Sequence, residues 1–367
     1  MRTISRYIHQ RSDWPGFHWA QETLAGPLAA VRLRQGRLLG RMESLGFPQR
    51  DEALLKTLTL DVLKSSEIEG EILNPEQVRS SIARRLGMDI AGLVPADRRV
   101  EGVVEMMLEA TQNQDKPLTV KRLFGWHTAL FPNNAGAKIR VGAWRNDARG
   151  PMQVVSGAIG SERVHYEAPA AQRVASEMTA FLDWANRTGD IDPVLRAAQA
   201  HLWFVTIHPF DDGNGRIARA IADWALARSE NSPLRFYSMS AQIQRERKDY
   251  YEILEQTQKG TLDVTDWMEW FLACLDRAIL ATQAALAAVF KKDQFWKTHA
   301  AVPISERQRL MLNKLLDGFE GKLTSTKWAA LAKCSQDTAQ RDIIDLIEHD
   351  ILIKDGAGGR STSYSLK

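Results

Sequence analysis

His208-Pro209-Phe210-Asp211-Asp212-Gly213-Asn214-Gly215-Arg216-Ile217-Ala218-Arg219 is the stretch on which the reading of this chain turns. Helix-spaced apolar runs over 194–206 and 217–228 flank it. The segment therefore reads as a loop between a helix ending at Ile207 and a helix starting near Arg216. The N–H groups of residues 213–216 then point outward at a helix start, an anion-binding nest in which glycines let phosphate oxygens approach the main chain. Arg216 stands at the helix start and Arg219 one turn on, on a nearby face. Two guanidiniums over a nest suit a polyphosphate better than a single carboxylate. Asp212 adds a hard oxygen, and a phosphate-bound magnesium takes about one or two protein carboxylates. His208 is placed to act as a general base near neutral pH, and Phe210 to anchor the loop from inside.

Each of these features is bland alone. A single His is more often structural, and a Gly-Asn-Gly or an Asp beside Gly is more often a turn. A base, a metal ligand, a nest and two arginines within one loop–helix unit are much harder to obtain as a turn.

The chain of 367 residues is long enough for two or three domains. Its 44% hydrophobic and 25% charged residues are those of a globular protein, which excludes disorder as the main state. A net charge of +3 is too weak to imply a polyanionic partner. The two cysteines, Cys274 and Cys334, lack metal-ligand spacing, which excludes a disulfide scaffold and a zinc ribbon. Met1-Arg2-Thr3-Ile4-Ser5-Arg6 lacks an apolar signal core and the run over 278–290 is too short to span a bilayer, so a cytoplasmic protein with no membrane partner is expected.

The expected fold class is mainly α. Helices are read over 53–68, 170–184, 194–206, 217–228 and 266–290. Between 131 and 169, Gly136, Gly142, Gly150, Gly157 and Gly160 punctuate Val154-Val155 and Val164-His165-Tyr166, a small β-hairpin flap. Trp14, Pro15, Phe17 and Trp19 read as a packed aromatic lid. Residues 291–303 are polar and irregular. After them come helices over 305–316, 326–333 and 336–349, then Ile351-Leu352-Ile353, a glycine-rich turn at 356–359 and a strand over 361–366, the winged-helix order. Three domains follow: 1–110, 111–290 and 304–367.

The run from His208 to Arg219 resembles the Fic family signature, His-x-Phe-x-(Asp/Glu)-Gly-Asn-Gly-Arg-x-x-Arg, at every fixed position. Supporting similarity covers 118–271 and includes Leu123-Phe124-Gly125-Trp126-His127, Gly142-Ala143-Trp144-Arg145 and Tyr250-Tyr251. The Trp- and Pro-containing N-terminal region is similar to the domain that often precedes Fic in bacterial proteins. The resemblance implies a Fic fold that transfers AMP from ATP to a hydroxyl of a target protein, the chain itself among the candidates. It implies His208 as the base, and Asp212 as holder of Mg2+ between the α- and β-phosphates. Gly213, Asn214 and Gly215 would hold the phosphates with help from Arg216, and Arg219 would grip the γ-phosphate. Val164, His165 and Tyr166 would form the flap that docks the target by strand addition. Tyr250 and Tyr251 would border the nucleoside, with Gln258 where relatives often carry Asn. Relatives with Lys at the position of Gly215 act as kinases, so the glycine implies AMP transfer.

A second signal is Ser65-Ser66-Glu67-Ile68-Glu69-Gly70. Ser65 and Glu69 lie four apart on one helical face and Gly70 is a helix terminator. Alone, this is a solvated helix end. Beside the signature it resembles the family's inhibitory helix, (Ser/Thr)-x-x-x-Glu-(Gly/Asn), in the class II arrangement. The implied action is that Glu69 pairs with Arg219 and denies it to the γ-phosphate.

Rival readings stay open at this point. One is a DNA-binding transcription regulator with a nucleotide-sensing Fic domain. Against it, the recognition helix carries Arg341 alone among Asp337, Asp342, Asp345, Glu348 and Asp350, although Lys322, Lys327, Lys333, Lys354 and Arg360 offer a basic flank. That balance favours protein recognition or a homodimer over DNA. A second is removal of AMP, with Glu69 aligning water. A third, a metal hydrolase using His201, His208 and Asp212, lacks any ligand spacing to support it.

Overall fold

The computed structural model describes residues 6–90, 92–132, 139–148, 150–157, 161, 163–316, 318–319, 321–356 and 362–367. The sequence readings of Met1 to Ser5, Gly136, Gly160, the part of the glycine-rich turn over 357–359, Arg360 and Ser361 lie outside the described residues. The chain divides into two compact units, Met1–Gln283 and Ala284–Lys367. Among the described residues helices dominate, and the strands form only two antiparallel pairs.

The first unit contains α1 (Gln21–Glu43), α2 (Phe47–Ile68), α3 (Pro75–Arg85), α4 (Arg98–Gln112) and α5 (Val120–Leu130). The hairpin β1 (Gln153–Ser156) and β2 (Arg163–Glu167) follows, then α6 (Ala171–Asn186), α7 (Pro193–Ile207), α8 (Asn214–Glu230), α9 (Met239–Arg245), α10 (Arg247–Lys259) and α11 (Thr265–Ala285). The helix starts obey side-chain chemistry: Asn74, Asp97, Thr119, Asp192 and Ser238 accept bonds from first-turn N–H groups, and Pro75 and Pro193 open their helices. α7 is buried on every side from Leu195 apart from half-buried Arg196, as a helix apolar all round must be, and α8 packs along it. The turn between these two central helices is the loop quoted above. α4 continues to Gln112, past the division expected at residue 110.

α2 is tied down along its length. Ser238 Oγ donates to Asp61 Oδ1 at 2.5 Å, the N–H of Ser240 donates to the same oxygen at 3.2 Å, and Gln244 donates to Glu67 at 3.0 Å. The flap pairs Val154 with Tyr166 and Val155 with Val164, with an irregularity between Val154 and Val155. The aromatic lid is packed as expected: Trp14 donates to Glu177 at 2.8 Å, and the rings of Trp14 and Phe17 meet Trp203 edge-on.

The second unit holds α12 (Ala287–Thr298), α13 (Glu306–Leu316), α14 (Ser325–Ala332), α15 (Gln336–Glu348), β3 (Leu352–Lys354) and β4 (Tyr364–Leu366). The helix read over 266–290 is in fact two, broken at Leu286. α12 runs through most of the stretch read as irregular, because Phe295 and Trp296 pack on a core built around Trp328, Ile343 and Leu346. Asp342 also departs from the sequence reading. It is buried, accepts two bonds from Arg307 at 2.6 and 2.8 Å and one from Trp328 at 3.2 Å, so it does not belong to an acidic outer face. Among the described residues no single helix is long and apolar enough to cross a membrane.

Candidate active site

α7 stops at His208, whose backbone is left-handed at φ 52° and ψ 58°. Such strain in a non-glycine residue costs about 1–3 kcal/mol and concentrates at functional sites. The ring is fixed too. Nδ1 donates to the Val205 carbonyl at 3.1 Å, which leaves the lone pair on Nε2. Burial lowers the imidazole to about 4, against the pull of the Val205 carbonyl, so the ring is neutral at pH 7. An anion at the neighbouring helix start raises that value.

The loop is built around Phe210, which is fully buried and stacks on His127 with centroids 4.2 Å apart. Gly213 caps α8 at φ 80°, a left-handed conformation suited to glycine, and a Cβ there would meet the side chains of Phe131 and Leu130 at 3.1 and 3.2 Å. The first helical bond of α8 runs from Ile217 N to Gly213 O at 3.0 Å, so the N–H groups of Asn214, Gly215 and Arg216 form its open start. Gly213 N–H is not part of that start, because it donates to Asp212 Oδ1 at 2.6 Å. Asp212 itself is exposed.

The side chain of Asn214 differs from its expected role. It is buried and closes a ring with Phe210, accepting from the Phe210 N–H at 2.9 Å and donating to its carbonyl at 2.8 Å. Only its N–H is left for an anion. Asn214→Ala therefore leaves two buried backbone groups unpaired, at about 1–3 kcal/mol each. The melting temperature should fall by several degrees, read by calorimetry, and an unchanged value contradicts the clamp.

Arg219 is buried and held by the end of α2 and the turn that follows it. Its Nε donates to Ser65 Oγ at 3.0 Å, its Nη2 donates to the Ser65 carbonyl at 2.8 Å, and Nη1 lies 2.9 Å from Glu69 Oε1. Glu69 caps the C-terminus of α2 and Gly70 follows at φ 80°. Gly215 faces the same carboxylate: a Cβ there would sit 2.2 Å from Glu69 Oε1. Arg216 is buried, lies 5.3 Å over the Phe131 ring, and donates through Nη1 to Glu71 Oε2 at 2.6 Å. The other oxygen of Glu71 takes Arg99.

The residues expected to line the nucleotide divide. Tyr251 lies against the end of α2, its hydroxyl 3.3 Å from the Ile68 carbonyl. Tyr250 is buried with its hydroxyl 2.8 Å from His201 Nε2. Tyr166 and Gln258 turn their side chains to α7: both are buried, Tyr166 donating to the Thr206 carbonyl at 2.6 Å and Gln258 to Thr206 Oγ1 at 3.3 Å. Val164 is half-buried on the flap, and His165 bridges Ser156 at 2.5 Å and Glu255 at 2.6 Å. The His201–His208–Asp212 metal site does not assemble. Among the described residues no group of three or more His, Cys, Asp and Glu could hold a metal ion.

Two positioning residues carried no role in the sequence reading. His127 accepts from the Gly142 N–H at Nδ1 (3.0 Å) and donates from Nε2 to the Asp212 carbonyl at 3.2 Å, and burial lowers it to about 4. Arg145 donates to the His208 carbonyl at 2.7 Å, and its N–H to that of Pro209 at 2.9 Å. Both lie in runs quoted for the resemblance, which was the available signal.

The buried central helices α7 and α8 are thus joined by the turn that holds His208, and α8 brings an open start and the buried Arg216 and Arg219 to it. Residues 117–226 match the model of the Fic/DOC family, and residues 7–88 match one described as a domain of unknown function, DUF4172. The chain carries a Fic/DOC family domain. It is 35% identical over 121 residues to a protein adenylyltransferase Fic of Nematostella vectensis, covering 32% of this chain and 26% of that protein. It is 25% identical over 222 residues to one of Drosophila willistoni, covering 59% and 40%. The chain thus spans well under half the length of these curated relatives. Among solved structures, a Fic family protein from Desulfovibrio desulfuricans G20 aligns over 95% of this chain and 97% of its own, with TM-score 0.57 at 20% identity. A Fic domain containing signaling protein from Bacteroides thetaiotaomicron aligns over 72% and 97%, with TM-score 0.50 at 22% identity.

Proposed function

We propose that the chain is a protein adenylyltransferase that moves AMP from ATP to a hydroxyl of a target protein, restrained by Glu69. The observation that carries the reading is the meeting, at one helix turn, of the free Nε2 of His208, the open start of α8, and Arg216 and Arg219. The target oxygen attacks the α-phosphorus, the bond from that phosphorus to the β-bridging oxygen breaks, and pyrophosphate leaves. The hydroxyl proton passes to Nε2 of His208. Helix-start N–H groups and arginines oppose the charge of the leaving pyrophosphate. The relatives named adenylyltransferases support the reaction class, and the glycine at 215 supports AMP over phosphate transfer. Labelled ATP added to the protein alone and to a cell lysate tests it: labelled protein bands are expected, and their absence with Glu69→Gly as well overturns the reading.

The donor set fits a magnesium that arrives with the nucleotide. Asp212 is exposed with one oxygen committed to Gly213, and no multi-ligand cluster stands beside it among the described residues. When bound, Mg2+ neutralises phosphate charge. Titration calorimetry should find only weak Mg2+ binding without nucleotide, and a tight site on the protein alone contradicts this.

The restraint rests on the Glu69–Arg219 ion pair and on the two bonds that Ser65 accepts from the same guanidinium. For 304–367 the order of three helices and a hairpin supports a winged-helix module. Its α15 keeps Asp337, Glu348 and Arg341 exposed, which favours a protein partner or a second copy over DNA.

A further inference from the structure

Glu71 stands one residue beyond the inhibitory signature, and its carboxylate is divided between two arginines. Oε2 takes Nη1 of Arg216 at 2.6 Å, and Oε1 takes Arg99 from the first turn of α4. The two partners differ in what they lose on separation. The Arg216 side chain is only 7% exposed, and its Nε is buried without a hydrogen-bond partner. The Arg99 side chain is 61% exposed. Arg216 cannot leave Glu71 without stranding a buried charge unless another anion replaces it. Glu71 can leave Arg216 and remain paired, because Arg99 stays on its other oxygen.

We propose that Glu71 is a second positioning carboxylate of the site, holding Arg216 as Glu69 holds Arg219 and releasing it to nucleotide phosphate by falling back on Arg99. The inference rests on reading the 208–219 loop as a nucleotide site. The backbone N–H of Arg216 belongs to the open start of α8, and Phe131 limits how far its guanidinium can swing. An incoming phosphate therefore meets an arginine already directed by a carboxylate it must displace. The two acids of the Glu69-Gly70-Glu71 turn divide the two arginines of the loop, one each.

The test is calorimetric binding of ADP with Mg2+ to the full chain, which requires no transfer. Glu71→Gln should bind about three- to tenfold more tightly, since a charged competitor becomes a neutral one. Arg99→Ala should bind more weakly, because Glu71 then concentrates on Arg216. Simple changes in local charge give the same two signs, so the double variant decides. If Arg99 acts through Glu71, the double variant matches Glu71→Gln. If the effects merely add and cancel, the exchange is wrong. Equal or weaker binding by Glu71→Gln, at an unchanged melting temperature, also overturns it, as does absence of ADP binding in every variant. ADP binding without AMP incorporation overturns the transfer reading and leaves this one standing.

Discussion

Replacing His208 with alanine should lower AMP incorporation by about 10²–10⁴-fold, the range of a lost general base, while ADP binding stays close to wild type. The separation follows from the geometry. On the proposed reading the phosphate would face the N–H start of α8, Arg216 and Arg219, and none of these has the imidazole as a hydrogen-bond partner. The ring's polar tie is to Val205, within its own helix end. The pH profile carries a second signature. Burial, the largest influence on His208, holds it at about 4, so the ring is neutral and able to accept a proton throughout the neutral range. The rate should be flat near neutrality and fall as pH drops toward that value, since protonation removes the base. Alanine should erase this acid limb. Undiminished labelling by the variant removes His208 from the mechanism.

Glu69→Gly is the second large effect, of opposite sign. Labelling should rise by about 5- to 150-fold, the usual span of a coupling between two sites. Stability should move the other way. Arg219 is buried and loses its carboxylate while keeping its Ser65 contacts, so breaking the pair from one side costs free energy, lessened because the Glu69 side chain is 32% exposed. A more active protein with a lower melting temperature is the expected combination. Adding Arg219→Ala should cancel most of the gain, because the freed guanidinium is what the restraint withheld. If Glu69→Gly labels no better than wild type, the inhibitory assignment fails, and Glu69 is a helix-end residue or a water-positioning group.

The two central helices, the loop and the helix end at Ser65 to Gly70 were legible in the sequence because each has a local signal: helical spacing, glycine at special backbone positions, and charge at fixed offsets. What escaped depends on distant partners. Nothing local says that the Tyr166 hydroxyl and the Gln258 amide nitrogen bond to Thr206, 40 and 52 residues away. Aromatic and amide side chains serve cores and sites alike, and the choice is made by what packs opposite. Glu71 carried no reading in the sequence, since its partners lie 28 and 145 residues away. Asp342 misled in the same way: it is one of several acids on α15, yet Arg307 draws it inward.

Gly215 shapes how this protein could respond to genetic selection. A screen for overactive alleles should return changes at Glu69, and at Ser65, where lost contacts free the arginine. Position 215 offers a less separable route. The missing side chain gives the Glu69 carboxylate its room, with a Cβ only 2.2 Å from Oε1, and the same residue supplies part of the open start of α8. Alanine there crowds out the restraint and adds bulk where phosphate should lie. Overactive alleles should therefore accumulate on α2 and leave position 215 glycine.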